Sequence, residues 1–293
     1  MKKKLRFTKV HIEISNICNL KCSFCPEVTR PKGHITVDLF RRIIEQLPPL
    51  TEMVCFHLMG EPLVHPKLSE LVEICHAHQV KIFFVTNGIL LREPQTALLL
   101  HPAFRQVNFS LHSFLDNFAG ADPSAYLNRI FTFTERAFEE RPDLYINYRL
   151  WNLESLRGHR AENLDFLARI SDRFGVVMDP KVDLTQQKSR NIRARLYLNS
   201  DEQFIWPSLD LPNLGETGTC FGLSNHFGIL IDGTVVPCCL DKDACITLGN
   251  AQEQPLLEIV NTPRARTMLR GFQNRKLVED LCRRCQYIER FEK

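Results

Sequence analysis

The sequence predicts an α/β chain: a partial barrel of six strand–helix pairs, then a small α+β domain built on a β-hairpin. Three observations predict it. Short apolar runs alternate with helix-period segments from the start to about residue 180, the pattern of a parallel sheet clothed by helices. Several strand runs are polar at alternate positions, as when a sheet curves around a wet interior. After about residue 200 the alternation stops, and Pro, Gly and acidic residues take over. The length of 293 residues, 44% of them hydrophobic, suits one large domain and one small one.

KVHIEIS reads as the first strand, and TVDLFRRIIEQL as a helix with Phe40, Ile43, Ile44 and Leu47 at helical spacing. EMVCFHL is a strand, HPKLSELVEICHAHQ a helix, KIFFVTN a strand and PQTALLLH a shorter helix. QVNFSLH and SAYLNRIFTFTERAFEER make the next pair, and YINYRLW and AENLDFLARISDRFG another. VVMDPKV is the expected sixth strand. In QVNFSLH, Val107, Phe109 and Leu111 alternate with Asn108, Ser110 and His112. In KVHIEIS, Val10, Ile12 and Ile14 alternate with His11, Glu13 and Ser15, and in YINYRLW Asn147 and Arg149 share a face. A sheet edge or a satisfied polar core gives the same alternation. Over three strands it favours a TIM-like (β/α)6 partial barrel over an open sheet. SDEQFIWPSLDLPNLGETGT reads as a linker, and HFGILIDGTVVPCC as a hairpin about Asp232-Gly233. PLLEIVNTPRARTMLRGFQ is helical with a break near Pro263. The expected domains are 1–200 and 201–293.

Net charge is only +3, which argues against nucleic acid as a partner. Basic residues cluster at Lys188, Arg190, Arg193 and Arg195, and again at Arg264, Arg266, Arg270, Arg275, Lys276, Arg283 and Arg284. Solvated helix faces account for them best. Docking of an acidic partner is the sharper alternative. No apolar run is long enough to span a membrane. The basic opening MKKKLRFTKVHIEIS lacks the apolar stretch and cleavage site of a secretion signal. A cytoplasmic location follows as the expectation. In that reducing compartment, eleven cysteines call for metal, catalysis or burial rather than disulfides.

Cys18, Cys22 and Cys25 stand within eight residues in CNLKCSFCP, just after the first strand. That is the strand end at which barrel enzymes carry their chemistry. Thiolates select zinc, Cu(I) or iron–sulfur clusters. Three of them on a [4Fe–4S] cluster leave one iron open for a substrate or cofactor. Cys220, Cys238, Cys282 and Cys285 form a second set of four, enough to close a ligand shell around an iron–sulfur cluster or a zinc ion. Cys75 falls on an apolar helix face and Cys55 in a buried-type strand, so both read as core. Cys239 adjoins a ligand candidate and is not itself expected to bind. Cys245 is either a loop thiol or a replacement ligand. Among the histidines His57, His65 and His112, His112 is the best catalytic candidate. Glu13 is another, and could equally be paired structurally.

CNLKCSFC resembles the CxxxCxxC motif of the radical S-adenosylmethionine (SAM) superfamily, including the aromatic Phe24 before the third cysteine. MGEPLVHP resembles that family's GGEP segment: Gly60, Glu61 and Pro62 match, and Met59 replaces the first glycine. TNG (Thr86, Asn87, Gly88) recurs at the end of the family's third strand, and SLHS, with Ser110, resembles its fourth-strand segment near the ribose and carboxylate. Arg149 is assigned to the carboxylate. The resemblance covers roughly residues 9 to 180. It implies a [4Fe–4S] cluster on Cys18, Cys22 and Cys25 that binds SAM and generates a 5′-deoxyadenosyl radical. Cys220, twelve residues, Gly233, four residues and Cys238, with the later Cys282-x-x-Cys285, resemble the SPASM and twitch domains that follow many such enzymes. That implies a second, auxiliary [4Fe–4S] cluster on four cysteines, in the shorter twitch form.

The function expected from the resemblance is oxidative modification of a substrate by hydrogen abstraction, with the auxiliary cluster accepting an electron. A flavodoxin or similar donor is the implied partner. The first strand begins by about residue 9, which leaves no place before it for a peptide-recognition domain. A small alcohol or sugar-like substrate is therefore slightly favoured, with a SPASM-type peptide maturase as the alternative. An iron–sulfur electron carrier or binding protein without radical catalysis is the alternative of another class.

Overall fold

The computed structural model describes residues 7–155, 157–158, 160–203 and 205–291. The first six residues, most of the basic opening, lie outside the described residues. The elements in order are β1 (Val10–Ile12), α1 (Val37–Glu45), β2 (Met53–Cys55), α2 (Leu68–Ala77), β3 (Lys81–Thr86), α3 (Glu93–Leu99) and β4 (Phe104–Ser110). Then come α4 (His112–Asn117), α5 (Ser124–Glu140), β5 (Tyr145–Leu153), β6 (Arg157–Gly158), α6 (Asn163–Phe174), β7 (Val182–Asp183), β8 (Ser189–Arg193) and β9 (Leu196–Glu202). The chain ends with β10 (Gly228–Ile229), β11 (Thr234–Val236), β12 (Gly249–Asn250), α7 (Leu256–Ile259) and α8 (Pro263–Gln273). A short 3₁₀ turn follows at Cys282–Arg284, and another at Gln286–Phe291. Strand and helix alternate through α6, so the fold class is the expected α/β.

The chain divides into two compact units. The first takes residues 1–19, 25–82 and 204–293. Its strands run in the order β12-β11-β10-β1-β2. β1 pairs in parallel with β2, His11 opposite Cys55, and with β10, His11 opposite Gly228. The hairpin β10–β11 is antiparallel, and Gly233 turns it at φ +85, a conformation that costs glycine little. The C-terminal hairpin thus continues the sheet of the first strand. Thr36 caps α1 by accepting from the Leu39 N–H at 3.3 Å. The helix buries Phe40, Ile43 and Ile44. Phe40 meets Phe56 edge-on at 5.5 Å, a geometry aromatic pairs prefer.

The second unit takes residues 20–24 and 83–203. β4, β5 and β9 are parallel neighbours, and β8 closes the edge antiparallel to β9. α5 buries Tyr126, Leu127, Ile130, Phe131 and Phe133. The buried Tyr148 hydroxyl shares a 2.6 Å hydrogen bond with Thr134. The alternating polar positions of β4 and β5 are partly a satisfied core. Asn108 is fully buried. Its amide donates to the Phe84 carbonyl at 2.7 Å and its carbonyl accepts from Asn147 at 3.0 Å.

One expected strand moves. VVMDPKV was to be the sixth of the parallel set, yet residues 176–181 form no strand. Val182–Asp183 instead pairs antiparallel with β6 in a separate two-stranded sheet. Gly175 ends α6 in the left-handed region at φ 64, Pro180 offers no N–H to a ladder, and Val177 is fully exposed. β9 takes the place beside β5, with Leu196 and Leu198 inward. It runs three residues, Ser200 to Glu202, into the stretch read as linker.

Candidate metal and cofactor site

Backbone geometry fixes what stands next to the first cysteine loop. The Ile17 N–H donates to Ser15 Oγ at 3.1 Å, which tightens the turn leaving β1. The Gly60-Glu61 turn lies against this segment, and the Glu61 N–H donates to the Ile17 carbonyl at 2.9 Å. A Cβ at Gly60 would stand 2.3 Å from the Ser15 carbonyl oxygen and 2.8 Å from that of Ile17, and Gly60 has φ +74. Only glycine fits that place. Glu61 is buried and accepts the Leu63 N–H at 3.0 Å, so its carboxylate caps the turn Pro62–Val64. Met59, where the family motif has glycine, packs with Leu58, Leu230 and Val236.

Cys18 and Cys25 belong to the first unit and are exposed. Cys22 belongs to the segment 20–24 of the second unit, where the end of α4 holds it. The Asn117 amide donates to Cys22 Sγ at 3.1 Å, and its carbonyl accepts the Lys21 N–H at 3.0 Å. Asp116 accepts the Ser23 N–H at 2.6 Å and the Ser23 hydroxyl. Burial pushes the Cys22 thiol up, and the Asn117 hydrogen bond opposes it. Phe24 packs on His112 at 4.9 Å between ring centroids. His112 is buried, with Nδ1 3.1 Å from the Arg149 carbonyl oxygen. Burial above all pushes it down to about 4, so it is neutral at physiological pH.

Ser110 and Arg149 are register partners across β4 and β5. The Arg149 guanidinium lies 4.4 Å from the Trp151 ring centroid and 5.7 Å from that of Phe83, a cation–π bracket that holds it in place. The TNG turn closes on itself. The Gly88 N–H donates to Thr86 Oγ1 and the Ile89 N–H to Asn87 Oδ1, both at 3.0 Å. The Tyr126 hydroxyl donates to the Asn87 carbonyl at 2.9 Å. Glu13 is fully buried and paired with Arg30, with contacts at 2.7 and 2.9 Å.

The C-terminal cysteines act on one another. Burial raises the Cys238 thiol most, and then the charges of Cys239, Cys220 and Cys282. Cys282 is raised by burial, then by Cys220 and Cys285. Cys285 is pushed up to about 11, by burial first and also by Cys220 and Cys239. Cys220 therefore stands within electrostatic reach of Cys238, Cys282 and Cys285, and Cys239 within reach of Cys238 and Cys285. Burial raises the Cys245 thiol first, Asp241 and Asp243 add to the rise and Lys242 opposes it, and its N–H donates to Asp241 at 2.8 Å. Mutually repelling sulfur donors suit a cationic cluster that takes them as thiolates. The donor set at the first loop, three cysteines with an amide N–H on one sulfur, suits an iron–sulfur cluster equally.

Sequence reasoning missed the Asp116–Asn117 clamp, because a six-residue helix is too short to show a period. Some members of the basic clusters are paired internally: Arg264 with Glu279, Arg284 with Asp280 and Lys188 with Asp201. No helix among the described residues is long and apolar enough to cross a membrane.

Two families match the chain. The radical SAM superfamily matches residues 12–156. SPASM, an iron–sulfur cluster-binding domain, matches residues 220–286, a span that holds all four C-terminal candidates. The tungsten-containing aldehyde ferredoxin oxidoreductase cofactor-modifying protein of Pyrococcus furiosus is 31% identical over 107 residues, 35% of this chain and 30% of that protein. The S-adenosyl-L-methionine-dependent 2-deoxy-scyllo-inosamine dehydrogenase of Niallia circulans is 27% identical over 131 residues, 40% of this chain and 52% of that protein. The matches thus span about a third to a half of these relatives. Among solved structures, BtrN with AdoMet and 2-DOIA superposes with a TM-score of 0.60 at 17% identity, covering 96% of this chain and 93% of that one. Streptococcus suis SuiB bound to its precursor peptide SuiA gives 0.62 at 17% identity, covering 99% and 74%. At these identities the likeness is one of fold.

Proposed function

Since the chain belongs to the radical SAM superfamily and carries a SPASM-type iron–sulfur domain, we propose that it oxidises a substrate by hydrogen abstraction. The observation that carries this reading is the pair of cysteine sets, three on the loop after β1 and four gathered at the C-terminal end. When bound, a three-thiolate [4Fe–4S] cluster supplies the electron that splits SAM into methionine and the 5′-deoxyadenosyl radical, which takes a substrate hydrogen.

The chain's own residues bind and orient. Cys18, Cys22 and Cys25 hold the first cluster, and the Asn117 N–H fixes the Cys22 sulfur. Gly60 brings the GEP turn against the backbone that leads into Cys18, and Glu61 and Pro62 keep that turn rigid. Asn87, Ser110 and Arg149 contribute polar groups for SAM, and Arg149 matches its carboxylate in charge. Phe24 shields one side of His112. His112, neutral and anchored through Nδ1, is available to move a proton. Cys220, Cys238, Cys282 and Cys285 hold the auxiliary cluster, the electron acceptor in this reading. Residues 1–200 carry the radical chemistry and 201–293 the auxiliary site. A cytoplasmic flavodoxin-class donor supplies the reducing electron.

A small alcohol or sugar-like substrate is favoured, in keeping with the near-equal lengths over which this chain and BtrN superpose. Peptide maturation is the second reading, supported by the likeness to SuiB with its bound peptide. The test is anaerobic reconstitution, reduction with dithionite and addition of SAM. 5′-Deoxyadenosine is the expected product, and its formation rises with the true substrate among aminocyclitols and candidate peptides. No 5′-deoxyadenosine under any of these conditions overturns the proposal.

A further inference from the structure

The polar face of β1 carries a second group of soft donors, apart from both cysteine sets. One ring nitrogen of His11, one of His57 and the sulfur of Cys55 all lie within 4.8 Å of one another. The parallel register sets this up. His11 on β1 is the partner of Cys55 on β2, and His57 follows two residues later. His11 and Cys55 are buried and His57 is half-buried. His11 Nδ1 lies 3.3 Å from the His57 carbonyl oxygen. Donation there leaves the ring's lone pair on Nε2, the arrangement in which a backbone-anchored histidine binds metal. His226 stands beside the group, its ring edge-on to His11 at 5.6 Å between centroids.

We propose that this cluster is a Zn²⁺ site, with His11, Cys55 and His57 as ligands and the His226 imidazole at hand for a fourth position. One thiolate and two imidazoles are a donor set for zinc rather than for magnesium, calcium or manganese, which prefer oxygen. Zinc bonds of about 2.0–2.3 Å place tetrahedral ligand atoms roughly 3.3–3.8 Å apart, so the observed group, within 4.8 Å, needs to contract by up to about 1.5 Å. Lys9, whose charge acts on both His11 and His226, opposes a bare dication, and the Cys55 thiolate offsets it. Two of the ligands are paired strand residues and the third lies two residues beyond Cys55, so the ion would tie β1 to β2. Packing alone, as an edge-to-face cluster of imidazoles, is the competing account. The proposal does not depend on the radical chemistry.

The test is zinc and iron per chain in the reconstituted holoenzyme, purified from zinc-supplemented cells, with zinc K-edge absorption on the same sample. About one zinc per chain is expected, with a shell of one sulfur and two or three nitrogens. His57→Gln, at a half-buried position, should lower zinc at least about fivefold with iron unchanged, and Cys282→Ala should keep it. Zinc absent even after incubation with Zn²⁺, zinc in an all-sulfur shell, or zinc undiminished in His57→Gln overturns the site. If His57→Gln loses iron as well, the wild-type absorption edge decides alone.

Discussion

Glu13 follows the first strand and is fully buried, and its carboxylate lies between the Arg30 guanidinium and the Ile231 N–H, 3.2 Å away. Burial raises its pKa more than Arg30 lowers it, so the pair persists only because both partners are present. Removing one partner strands a charge that water cannot reach, which costs about 3–5 kcal/mol, whereas removing both costs much less. Arg30→Met should therefore lower the denaturant midpoint sharply, and the Glu13→Gln/Arg30→Met double variant should recover most of the loss. A double variant as unstable as the single would sink this account. Cys22 offers a different residue-level prediction. Cys22→Ala should abolish 5′-deoxyadenosine formation but keep about half of the iron, because the C-terminal thiolates are untouched. Full cleavage activity in that variant would contradict its role as a ligand.

At the scale of elements, the GEP turn is the sharpest constraint. An alanine at position 60 must adopt φ near +74 and also place its Cβ inside contact distance of two carbonyl oxygens. Left-handed backbone alone costs about 1 kcal/mol, and the clash falls on backbone that cannot rotate away. Gly60→Ala should lower stability by about 2–4 kcal/mol and reduce iron loading at the first cysteine loop, read by iron assay and thermal melting. An unchanged melt would mean that the turn can move aside. This turn was legible because Gly, Glu and Pro leave a local signature, as were the long helices, whose period spans several turns. The motif cysteines were legible through spacing alone. α4 was not, since the periodicity of six residues cannot be told from a loop. Nor was β9, because LYLNSDE alternates weakly and is assigned only by its partner β5. VVMDPKV misled for the opposite reason: its apolar residues look strand-like, yet Pro180 and the Gly175 cap keep residues 176–181 out of a ladder, and Val182 pairs with β6 instead. The Glu13–Arg30 and Asn117–Cys22 contacts join residues 17 and 95 positions apart, and no local pattern encodes such pairs.

Over the whole molecule, the buried histidines set how stability responds to acid. Burial, as the main cause, lowers His112 to about 4 and His226 also to about 4, and lowers His65 less. In the unfolded chain each takes up its proton near pH 6.5. Between pH 6.5 and about 4 the unfolded state thus binds more protons than the folded one, and stability falls as the pH drops through that window. Above pH 6.5 these groups contribute no pH dependence. Glu13 and Asp241 shift the other way, raised by burial. Their folded forms hold protons that the unfolded chain has released, so they oppose the loss over the upper carboxylate range. For His112 alone the linkage is about 2 kcal/mol at pH 5 relative to pH 7.5. His112→Asn keeps a polar group near the Arg149 carbonyl but cannot titrate. The wild type should therefore unfold at lower denaturant at pH 5 than at pH 7.5, and the variant should show a drop smaller by about that amount. An equal drop in both would mean that His112 is protonated in the folded chain, and with it the neutral, anchored imidazole assigned to proton transfer would fall.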